Sequence, residues 1–180
     1  MNSPLAIAVL AFGVLGAFPP DEPASQETRP AAPQDKAPAQ DPHHQAVVER
    51  GDHVMGFPHD KATHHFRLYP DGGAIEVESN AGQDVATRDE IRSHFAHIVK
   101  MFAVGNFSAP MLIHSQNPPG AETMKKLRDA IQYKLEDTGR GARIRITTRN
   151  AEAVRGVHAF LRFQISDHQT GDSDQVSSAP

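Results

Sequence analysis

Between Thr63 and Tyr69 the chain alternates strictly. His64, Phe66 and Leu68 project one way, and His65, Arg67 and Tyr69 the other. Pro70-Asp71-Gly72-Gly73 carries turn chemistry, and Ala74 to Ser79 resumes the alternation with Ile75 and Val77 on the apolar face. Period-two patterns flanking a Gly-rich turn predict a β-hairpin with one buried and one wet face. The period then lengthens. Ile91, Phe95, Ile98 and Phe102 recur at helical spacing, with Thr87 and Glu90 placed as a capping box and Gly105 where a closing glycine belongs. The same order returns downstream. Tyr133 and Leu135, a turn over 137–141, and Ile144 and Ile146 make a second hairpin. Asn150 then opens a helix carrying Val154, Val157, Leu161 and Ile165 and ending near Gly171.

Two hairpin–helix units, about 63–105 and 132–171, predict an α+β fold. Its core is a four-stranded antiparallel sheet built by pseudo-duplication, with the helices packed on one face. Between the units lie a short apolar run, Pro110 to His114, read as a strand, and the breaker Asn117-Pro118-Pro119-Gly120. A further helix over about 121–131 follows, with Met124, Leu127 and Ile131 as its stripe. A short helix over 43–50 docks through Val47 and Val48. On the wet face, Glu76 and Glu78 are placed to meet Arg143 and Arg145 if the two return strands are neighbours.

Composition marks off the rest of the chain. Leu5 to Phe18 is an unbroken apolar and small-residue stretch, short for a membrane span and suited to a signal-peptide core, although no Lys or Arg precedes it. We therefore expect a signal peptide over 1–18 and a periplasmic or secreted product, with membrane contact only if that segment stays uncleaved. Residues 19–42 are rich in Pro, Ala, Gln and acids and predict a disordered linker. The folded domain spans 43–171, and 172–180 is expected as a flexible tail. A net charge of -4 removes the basic face that nucleic acid requires. Zero cysteines exclude disulfides, iron–sulfur ligation and a thiol nucleophile.

The chain has 11 histidines, and several fall where the predicted elements converge. His64 shares the inward face of its strand, His94 sits one turn from Ile91 and Ile98, His97 flanks it, and His158 lies at the core edge of the last helix. These four predict a transition-metal site, copper or zinc first, at the helix–sheet interface, because imidazole ligates without thiol redox chemistry. Asp89, Glu90 and Asp167 are candidates to hold the second ring nitrogens. Met55, Met101 and Met111 lie near histidines in sequence, and thioether beside imidazole suits Cu(I) and also ligates haem iron. His114 and His168 complete such a site or cap an element, and His43, His44, His53, His59 and His65 read as solvated. A metal-dependent enzyme with an open coordination position, or a structural domain with no metal, would present the same residues. No H-E-x-x-H, nucleophile elbow or phosphate loop is present.

Val54-Met-Gly-Phe57, His64-His-Phe66, Asp71-Gly-Gly73, His97-Ile98 with Met101-Phe102, Pro110-Met-Leu-Ile-His114, Pro118-Pro-Gly120, Phe160-Leu-Arg-Phe-Gln-Ile165 and Asp167-His168 with Thr170-Gly-Asp172 together carry a resemblance over roughly 43–172. The chain resembles a group of small exported bacterial proteins of unassigned function, some labelled aspartate carbamoyltransferase. That label implies a two-domain chain with a Ser-Thr-Arg-Thr phosphate loop, and this sequence contains neither. The resemblance implies a compartment and supplies no active residues.

Overall fold

In the computed structural model, residues 41–178 are described, and the expected signal segment and all but the end of the expected linker lie outside them. The elements run α1 (Pro42–Met55), β1 (Ala62–Tyr69), β2 (Gly72–Ser79), α2 (Val85–Ala103), α3 (Ser108–His114), α4 (Ala121–Lys126), β3 (Ile131–Asp137), β4 (Gly141–Thr148) and α5 (Ala151–Asp167). The four strands form one antiparallel sheet in the order β1-β2-β4-β3, so the two return strands pair at its centre. The fold is α+β, with the expected hairpin–helix order repeated.

Each helix crosses to the other hairpin. α2, which follows the first hairpin, packs over β4 and β3, and α5 packs over β1 and β2. Both bury the stripes read from periodicity, except that Val154 is only half-buried. Ile91, Phe95, Ile98 and Phe102 of α2 and Val157, Leu161 and Ile165 of α5 are buried against Phe66, Leu68, Ile75, Val77, Ile144 and Ile146. Burial of this kind is worth roughly 1.5–3 kcal/mol per large side chain before entropy is counted. On the opposite face Glu76 sits directly across from Arg143, at 2.6 Å. Glu78 pairs with Arg140 rather than Arg145, whose guanidinium instead meets Asp71 at 2.6 Å.

Several local expectations are corrected. The run Pro110–His114 is not a strand but most of α3, since five apolar-rich residues carry no period of their own. Asn106 Oδ1 accepts from the Ser108 amide, and Pro110 falls in the first turn, where its missing N–H costs nothing. The helix expected over 121–131 stops at Lys126. A single 3-10 turn, Arg128–Ala130, follows, and Ile131 opens β3. The capping box gives way to Asp84, whose carboxylate accepts from the Thr87 amide at 3.0 Å and starts α2 earlier than expected. α1 runs on to Met55, capped by Asp41 and closed by Gly56 at φ 79. The residues expected as a tail from Asp172 are held to β1. The Asp172 carboxylate accepts from the Phe66 amide and meets His65, and the Ser177 amide donates to the Leu68 carbonyl.

Candidate functional site

α1 brings Met55 to the sheet end where β1 begins. There the Met55 sulfur lies 3.2 Å from His64 Nε2. Phe57 is buried just after the helix and stacks on His64, with ring centroids 6.4 Å apart, while His94 of α2 meets Phe57 edge-on at 6.0 Å. At the far end of the molecule's chain path, the close of α5 delivers His168, whose ring lies 5.6 Å from that of His64 and within 6° of parallel. His114, at the end of α3, meets His168 edge-on at 4.9 Å. Four imidazoles from β1, α2, α3 and the α5 terminus thus line one pocket together with Met55.

Their surroundings set their charge. Burial, with the neighbouring histidines adding to it, lowers His64 to about 4, and burial with His97 nearby lowers His94 to about 4. His168 falls to about 3, again by burial first, with the positive charges of His64 and His114 outweighing the pull of Asp167. All three rings are neutral near pH 7, the form that ligates a metal. His114 is held differently. Its Nδ1 faces Asp167 Oδ2 at 2.5 Å and its Nε2 faces Gln164 Oε1 at 2.9 Å, and the residue is fully enclosed. Asp167 also meets His43 Nε2 at 2.8 Å, so one carboxylate ties α1 and α3 to the end of α5. Burial pushes the Asp167 carboxyl up, but the two histidine contacts prevail and hold it below its usual range.

Met55, His64 and His168 form a wall between two cavities. One is a pocket of about 70 Å³ lined by Phe66, Phe95, Ile98, Phe102, Phe160 and His94. The other is a cavity of about 210 Å³ that reaches the exposed His59 and Thr63.

Of the four histidines expected to share one site, the structure brings His64 and His94 to the pocket. His97 is one turn beyond His94 and exposed. His158 does not join them. Its Nε2 donates to the Tyr69 carbonyl at 2.8 Å. Tyr69 lies at the opposite end of β1 from His64, about 16 Å along an extended strand. α5 crosses the first hairpin lengthwise, so its start and its end serve opposite ends of the sheet. The histidine that reaches the pocket is therefore His168, at the helix terminus. Periodicity gives no reason to prefer His168, because it follows the last helical turn. Among the described residues no group of three or more His, Asp or Glu side chains is arranged to hold a metal ion. At the pocket, Met55 and His64 bring together a mixed donor pair, one thioether and one imidazole. Among the described residues no single helix is long and apolar enough to cross a membrane. No known family model, curated protein or solved structure matches the chain.

Proposed function

We propose that this chain is an exported protein that binds a soft transition metal, Cu(I) before zinc, on Met55, His64 and His168 at the mouth of the apolar pocket. The observation that carries the reading is the Met55 Sδ to His64 Nε2 separation of 3.2 Å. Metal bonds of about 2.3 Å to sulfur and about 2.0 Å to nitrogen are long enough together for one ion to reach both atoms. Thioether with neutral imidazole is a soft donor set that favours Cu(I), whereas structural zinc asks for four convergent ligands. The aromatic collar of Phe57 and Phe66 limits water at the site, which also favours the lower charge of the cuprous ion. Export is supported by the apolar stretch Leu5 to Phe18.

The test is a titration of untagged protein with Cu(I) against a chromogenic chelator, followed by X-ray absorption at the copper edge. One ion per chain, with one sulfur and two nitrogens in the shell, is expected. Met55→Leu, close to isosteric, should weaken binding on the order of tenfold or more and remove the sulfur signal. A protein that takes up no copper would leave the histidines as packing groups only, and a shell without sulfur would remove Met55 from the site.

A further inference from the structure

The two margins of the sheet are finished differently. With the strand order β1-β2-β4-β3, β1 and β3 are the edges. The C-terminal residues close the first. Asp172 accepts from the Phe66 amide, the Ser177 amide donates to the Leu68 carbonyl, and Val176 bridges Leu68 in parallel. β3 is left open. The Thr138 amide donates to the Gly141 carbonyl at 3.1 Å, which fixes the phase of the β3–β4 ladder. Gln132, Lys134 and Glu136, which face Thr147, Arg145 and Arg143, therefore turn their backbone groups toward β4. Tyr133, Leu135 and Asp137 turn theirs outward, and among the described residues no hydrogen-bond partner meets them. Tyr133 and Leu135 are also only half-buried, whereas Ile144 and Ile146 of neighbouring β4 are fully enclosed.

An open row of N–H and C=O groups is a template for another strand, and an exposed lysine on such a row ordinarily discourages pairing. Lys134 is exposed on the wet face, but Glu136 follows it on the same face and the two meet at 3.0 Å. That order makes the edge complementary to itself. We infer that β3 is the docking surface for a second copy of this chain, the two strands pairing antiparallel about a twofold axis through Leu135. In that register Leu135 exchanges backbone hydrogen bonds with the partner's Leu135, and Tyr133 exchanges them with the partner's Asp137. Lys134 lies across from the partner's Glu136 as a non-hydrogen-bonded pair, where side chains approach most closely. Sliding the strands one ladder step either way sets Lys134 against Lys134 or Glu136 against Glu136, so charge selects one register. A closed twofold contact joins the two sheets and leaves neither β3 edge free to add further copies. Strand pairing alone covers less surface than a permanent dimer does, so the association is reversible. The inference goes beyond the copper reading and does not need it, since His64 lies on β1, the opposite edge.

The experiment is sedimentation velocity on the untagged, metal-free chain over a micromolar to millimolar concentration series, with amide exchange followed at both ends. A monomer–dimer equilibrium is expected, and exchange at the amides of Tyr133, Leu135 and Asp137 should slow as dimer forms. Lys134→Glu and Glu136→Lys each set like charges across the axis and should weaken association about tenfold or more. Mixed in equal amounts, the two variants should form a heterodimer at least as strong as the parent, because one strand then carries two acids and the other two bases. Glu136 also lies 3.9 Å from Arg143, so Glu136→Lys carries the greater risk to folding. If it does not fold, the Lys134→Glu variant stands alone, and added salt should restore part of its association. A chain that stays monomeric across the series overturns the inference. So does association that ignores the charge reversals, a mixture that does not associate, or a dimer whose three amides exchange as fast as in the monomer.

Discussion

His158 shows how one side chain separates two explanations of the same sequence. It sits at a core edge, as expected of a ligand, yet its ring donates to the Tyr69 carbonyl and closes the far end of the sheet. Its removal should therefore cost stability and leave metal binding alone. For His158→Ala we expect a loss of about 1–2 kcal/mol in urea denaturation, with an unchanged copper titration. A copper affinity that falls with His158→Ala would return this residue to the site. Met55 carries the opposite expectation, because its replacement by Leu keeps the packing volume and removes only the sulfur lone pairs. One polar atom of the Gln164 amide has no hydrogen-bond partner among the described residues, a property invisible in sequence. A glutamine on an apolar helix stripe reads there only as an imperfect core residue.

At the scale of elements, the hairpins and the two long helices were legible because each repeats its period over several turns or pairs. Ile75 and Val77 of β2 and Ile91 through Phe102 of α2 have no alternative faces to bury. The shorter pieces were not legible. α3 has seven residues and α4 six, lengths at which an apolar run fits a strand or a helix equally, and tertiary packing decides. α4 is seated by close backbone contact. Gly120 adopts φ +85, and a Cβ placed there would lie 2.0 Å from the Gly156 carbonyl oxygen of α5. Gly120→Ala should therefore lower stability by roughly 2 kcal/mol or more, through both left-handed strain and the clash. A thermal midpoint unchanged in that variant would show that α4 can move away from α5 without penalty.

At the scale of the molecule, the gathered imidazoles couple folding to pH. In the folded chain His64 and His94 are lowered from 6.5 to about 4, and His168 to about 3. The unfolded chain, with ordinary imidazoles, thus binds more protons than the folded chain from about pH 6.5 downward. Stability is complete above that value, falls as pH drops through the window, and levels off below about pH 3. Asp167 and Asp172, both held below the usual carboxylate range, remove further stability in the same direction at more acidic pH. Metal-free protein should lose on the order of 2 kcal/mol for each of the three histidines between pH 7 and 5. Urea midpoints measured at the two values test this, and equal midpoints would show that the rings are hydrated in solution. The same carboxylates explain why the described C-terminal residues do not trail free. Asp172 is held by the Phe66 amide, which flanks the same strand as His64.

Sequence by itself determined the class of fold, the faces of its long elements and the residue types available for ligation, because periodicity records burial directly. It did not determine which histidines meet. That depended on each helix crossing to the other hairpin, which sends the start of α5 to one end of β1 and its close, with His168, to the other. Convergence is a property of long-range packing between β1, α1 and the end of α5, and no local period encodes it.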